Sequence, residues 1–156
     1  MNVFVLDEDM QKSAEYTCDK HVVKMITEHV QLLCTTYYYC NMDQYSPYKL
    51  SHYNHPIAKW LRSSLSNWIW LRDYTLVLYN EYKFRYNKLH KAGEACKSLI
   101  IPNIEDNGFT IMPCSMPDIY KEESVVQSYR NYYNGEKVRF ANYTKRDWPY
   151  WLIYKE

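Results

Sequence analysis

Glycine is scarce in this chain, three residues in 156. That excludes a glycine-rich linker, a collagen-like repeat or a low-complexity protein. No apolar stretch approaches 18 residues, so neither a membrane-spanning helix nor a membrane partner is expected. The five cysteines (Cys18, Cys34, Cys40, Cys96, Cys114) form no C-x-x-C pair. This excludes a zinc-type cysteine cluster, and the odd count argues against a disulfide framework. With no signal-peptide pattern at the start, the expected compartment is a reducing cytoplasm. No excess of charge of either sign exists: the formal net charge is +1. The chain as a whole is therefore no polybasic nucleic-acid binder, and any such site must be a local patch. Phosphate loops, dinucleotide fingerprints and nucleophile elbows are missing, and no cofactor or metal is expected.

What is abundant is aromatic: 18 Tyr, 5 Trp and 4 Phe. That is more than one core is expected to need. Tyr and Trp suit half-wet surfaces, including faces that stack on bases. Biased codon usage in an AT-rich genome gives the same excess. Length and composition fit one globular domain spanning residues 1–156, large enough to bury a core without staples.

Periodicity points to an all-α fold. Residues 2–6 form a short apolar arm or strand, and Asp7 and Asp9 offer caps for a helix near 10–16. The spacing predicts a helix over 19–36 with Asp19 as N-cap and Val22, Ile26, Val30 and Leu33 on its apolar face. Residues 37–54 read as loop. Residues 56–88 read as two helices broken within Ser63–Asn67, with Pro56 in a first turn. Residues 92–120, with three prolines and two glycines, read as a long irregular segment. A last helix is expected over 121–134, followed by an aromatic, basic tail over 141–154.

Four groupings have the residue types for chemistry. Thr17, His21, Lys24, Glu28, Gln31 and Thr35 recur at threes and fours, forming one polar stripe on the helix over 19–36. Glu28, two turns from His21, has the chemistry of a base or of a stabiliser for a developing cation, with Lys24 holding it ionised. The same stripe is also what a solvated helix face looks like. His52 and His55 lack further ligands for a metal; His55 before Pro56 suits a helix N-terminus, as a cap or against a phosphate. The helix from Asn67 to Lys91 interleaves Trp68, Trp70, Tyr74, Tyr79, Tyr82, Phe84 and Tyr86 with Arg72, Lys83, Arg85 and Lys88. That pattern serves phosphates and bases, or a core on one side and a basic face on the other. Lys145 to Trp151 is a fourth basic–aromatic cluster, with Arg146 inside it.

Asp19-Lys20-His21, with Glu28 seven residues after the histidine and then Leu32–Leu33, resembles the first active-site helix of the phage pyrimidine-dimer DNA glycosylases of the endonuclease V type. His55, Trp60, Leu71, Leu78, Glu81 and Arg85 are similar to the rhythm of that family's central helices. Met116-Pro117, Arg130 and Pro149-Tyr150-Trp151 are similar to its end. The pieces cover about half the chain. The whole chain also resembles short phage proteins that carry Cys-Asp-Lys-His-Val-Val-Lys-Met near the start, found here at Cys18–Met25. The resemblance implies an all-α DNA glycosylase acting on damaged or modified bases, with or without AP-lyase activity, in the cytoplasm of an infected host. The chain's α-amino group would attack C1′ of the sugar, and Glu28 would stabilise the cationic sugar. The family exposes a Thr amine after removal of Met. Here residue 2 is Asn, so Met1 is expected to be retained and the nucleophile would be its amine or Lys24. Arginines of the family are replaced by Val3, Thr27 and Gln31, so dimer specificity is not carried over. The site expected is Glu28, His21, Lys24 and Met1, with Lys20, His55, Arg62, Arg85, Lys88, Lys91, Arg130, Lys145 and Arg146 touching DNA. A smaller substrate such as a free or signalling nucleotide, or a nucleotide-binding inhibitor without chemistry, is the alternative. The sequence leaves the oligomeric state open.

Overall fold

The computed structural model describes residues 1–153. Among them there is helix but no strand, and residues 1–6 form no regular element. The first helix, α1 (Met10–Tyr16), starts where the Asp9 carboxylate accepts the Lys12 N–H, as a cap should. The second, α2 (Asp19–Tyr39), begins one residue earlier than its apparent cap: Cys18 is the N-cap, and Asp19 lies in the first turn. It also runs three residues past the expected end and stops where Asn41 turns left-handed. Next come α3 (Pro56–Ser63) and α4 (Leu65–Tyr86), split at a single extended residue, Ser64. Asn87, left-handed, closes α4.

Residues expected to be wholly irregular begin with a helix, α5 (Lys91–Lys97), capped by His90, whose Nδ1 accepts the Ala92 N–H. Gly93 is no loop marker. A Cβ there would lie 2.5 Å from the Tyr79 ring, so its lack of a side chain lets α5 close onto α4. Residues 98–117 are irregular but tied down. Asp106 accepts from Ser66 N–H and Ser66 Oγ, and Asn67 exchanges two hydrogen bonds with Thr110. The last helix, α6 (Val125–Tyr132), is capped by Ser124 and followed by a π-type turn over Tyr133–Lys137. Of the expected tail, Tyr154 lies outside the described residues.

The α2 helix is central and packs on α3, α4 and α5. Its apolar face (Val22, Ile26, Val30, Leu33) is fully buried, as the period requires. One hydrophobic core includes residues from Val3 to Leu152. Much of the aromatic excess is here: Trp68, Tyr37, Tyr74, Tyr79, Tyr129 and Tyr133 are fully buried. No helix among the described residues is long and apolar enough to cross a membrane.

Candidate functional site at the N-terminus and helix α2

The polar stripe of α2 is not a solvated face. His21 and Thr35 are buried, and the Glu28 side chain is 16% exposed. The cover is the chain's own start. Phe4 stacks on the His21 imidazole with ring centroids 4.2 Å apart. On its far side, His21 Nδ1 lies 2.7 Å from the Tyr133 hydroxyl. Burial, then the positive charges of Lys137, Lys24 and Lys20, lower the His21 pKa to about 3. At neutral pH His21 is an uncharged wall of the site, not its acid. Lys24 reaches Glu28 at 3.5 Å from the solvent side and pairs with it.

Chain termini commonly fray, but this one is fastened residue by residue. Asn2 donates to the Ser115 carbonyl at 2.6 Å and accepts from the Tyr129 hydroxyl at 2.6 Å. Tyr74 donates to the Phe4 carbonyl, and Arg130 to the Leu6 carbonyl. His55 completes the clamp. Its Nδ1 accepts the Ile57 N–H and so carries no proton. The proton is therefore on Nε2, which donates to the Met1 carbonyl at 3.2 Å. Burial first, then the adjacent N-terminal ammonium, lower the His55 pKa.

The result is a recess of about 420 Å³ whose walls include Met1, His21, Lys24, Glu28, His55 and Lys137. Three cationic groups, the Met1 amine, Lys24 and Lys137, share it with one carboxylate, Glu28. A recess of this sign suits a ligand with an anionic part, and its carboxylate suits a developing cation. All four residues expected to carry chemistry converge here. Asn2, Ser115, Tyr132 and Lys137 were not anticipated. Tyr132 ends α6, Ser115 lies in the irregular segment before it and Lys137 in the turn after it, all more than 70 residues after α2, while Asn2 belongs to the N-terminal arm.

The expected DNA contacts do not converge. Arg85 is corrected outright. It is buried, donating to Glu81 at 2.7 Å, to Asp19 at 3.0 Å and to the Ala14 and Glu15 carbonyls that end α1. A guanidinium so enclosed reaches no phosphate. Arg146 binds both oxygens of the same Glu81. Arg62 donates to the Tyr53 carbonyl, Arg130 pairs with Asp7, and Lys145 donates to the Phe84 carbonyl. His55 faces the recess rather than an outer surface. Lys20, Lys88, Lys91 and Lys145 are exposed, with no carboxylate partner among the described residues. Among those residues no cluster of His, Cys, Asp and Glu is arranged to hold a metal ion.

No protein-family model, no curated protein and no solved structure matches this chain.

Proposed function

We propose that the chain cleaves N-glycosidic bonds in DNA carrying damaged or modified bases, using the α-amino group of Met1 as nucleophile. The observation that supports this reading is the clamped N-terminus, which shares a recess with Glu28. An α-amine in its neutral form is a nucleophile suited to attack at C1′. The neutral amine forms a bond to C1′ while the C1′–N bond breaks, its electron pair leaving with the base. The amine loses one proton and the base gains one. Ring opening then gives a protonated imine. Ionised Glu28 stabilises the positive charge at C1′. In the lyase branch a C2′ proton is removed and the 3′ phosphate departs, and water hydrolyses the imine to restore the amine. The target nucleotide must leave the base stack to enter the recess.

Incubation with ultraviolet-irradiated, abasic and undamaged duplexes in the presence of borohydride tests this. A reduced covalent adduct that maps to Met1 is the expected outcome. An adduct at Lys24 moves the nucleophile. Neither adduct nor base release removes the reading. Glu28→Gln is expected to lower cleavage by about a hundredfold or more while leaving binding intact.

One observation favours a second reading, a free nucleotide as substrate of the same recess. Four of the basic residues expected to hold DNA, Arg62, Arg85, Arg130 and Arg146, are committed within the protein. Release of base from a mononucleotide with no activity on duplexes would select it.

A further inference from the structure

A second depression lies on another face. Its walls are Val5, Trp70, Phe109, Met112, Val125 and Val126, and it encloses about 440 Å³. Its floor is preformed: Trp70 and Phe109 lie 5.9 Å apart, and Trp60 meets both edge-on. Apolar surface continues outward, with Phe109 57% and Ile111 81% exposed at the lip. Contiguous exposed apolar surface of this kind marks interaction sites.

The rim carries the opposite charge from the catalytic recess. Glu8 and Glu123 border the groove, both exposed, and neither carboxylate has an ion pair or hydrogen bond among the described residues. Asp7, the chain neighbour of Glu8, is by contrast paired with Arg130. Two unpaired carboxylates over an aromatic floor repel a nucleic-acid backbone. They suit a side chain that is apolar along its length and cationic at its head. Arginine fits best, because its planar guanidinium stacks on an aromatic face and still donates to carboxylates.

We propose that this groove docks a partner protein through a segment in which arginine alternates with apolar residues. The apolar side chains cover Phe109 and Ile111, and the guanidinium lies over Trp70 beside Glu8 and Glu123. Val5 forms part of the groove, whereas Asn2 and Phe4 of the same arm face the catalytic recess. The proposal does not depend on the chemistry assigned to that recess.

Titration of the full chain with a short acetylated, amidated peptide of alternating leucine and arginine tests it. Saturable binding is expected, with none for the matching leucine–glutamate peptide. The double variant Glu8→Gln, Glu123→Gln is expected to weaken binding by about tenfold or more. Ile111→Ser is expected to weaken it as well, while Glu105→Gln leaves it unchanged. All four side chains are exposed, so the fold is kept. Absence of saturable binding up to about 1 mM overturns the proposal. So does equal binding of the acidic peptide, or binding that survives the double variant. Self-association of the protein abolished by Ile111→Ser would overturn it in favour of a second copy as the occupant.

Discussion

His21 and His29 lie eight residues apart on α2, and burial is the first cause of a pKa lowered to about 3 for each. The Thr75 hydroxyl donates to the Leu71 carbonyl, so it accepts from His29 Nδ1–H; His29 Nε2 is left buried without a partner. In the unfolded chain both imidazoles take up a proton near the ordinary value of 6.5. In the folded chain they stay neutral down to about pH 3. The unfolded state therefore binds more protons below pH 6.5, and stability, full above that value, falls as pH falls through this window. Two such groups give a slope of roughly 2.7 kcal/mol per pH unit near pH 5. Urea unfolding at pH 7 and pH 5 is expected to show a loss of about 4 kcal/mol from these two residues. His29→Leu removes one titration and also the orphaned nitrogen; it is expected to halve the slope at little cost at pH 7. An unchanged slope would mean that His29 is protonated in the fold.

At the level of elements, one buried network joins α1, α2, α4 and the tail. Arg85 of α4 binds Glu81, Asp19 and the last carbonyls of α1, while Arg146 closes on Glu81. Thr144 adds a backbone and a hydroxyl bond to Asp19. Removing Arg85 leaves the buried Glu81 with Arg146 alone, Asp19 without its cation and the Ala14 and Glu15 carbonyls without this donor, so Arg85→Ala is expected to cost about 3–5 kcal/mol in denaturant unfolding. A loss within the range of surface substitutions would show the network to be dispensable. Gly93→Ala drives a methyl into the buried Tyr79 ring and is expected to cost about 1–3 kcal/mol by the same measurement. The helices other than α5 were legible from a cap or from apolar spacing: Asp9 marks α1, His55–Pro56 marks α3 and Val22–Leu33 marks α2, although its cap is Cys18 rather than Asp19. The α5 helix was not: it is as short as α1, but where Asp9 announces α1, α5 is capped by a histidine and contains a glycine, needed for close packing, that looks like a breaker. The charge of Arg85 misled for a related reason. A basic residue in a basic run looks exposed until its carboxylate partners, four and 66 residues away, are brought to it.

Over the whole molecule, the helical half of the candidate site could be read from the α2 stripe, whereas the place of Met1 beside it followed only from the resemblance and not from any pattern in the residues. Asn2 is held by Ser115 and Tyr129, 113 and 127 residues away, and Met1 by His55, 54 residues away, separations that no local pattern encodes. The same global view limits how strongly this protein can bind a polyanion. With net charge +1 and Arg62, Arg85, Arg130 and Arg146 committed internally, the expected contacts left for phosphate are Lys20, Lys88, Lys91 and Lys145. Each neutralised phosphate releases counterions. Four contacts therefore predict that the logarithm of the duplex binding constant falls against the logarithm of salt concentration with a slope of about −4. Binding to a lesion-free duplex, measured by anisotropy across a salt series, checks this. A slope of about −6 or steeper would mean that the internal arginines leave their carboxylates to meet DNA, overturning their role as scaffold. A slope near zero for the duplex, together with tight binding of a mononucleotide, would assign the recess to the smaller substrate.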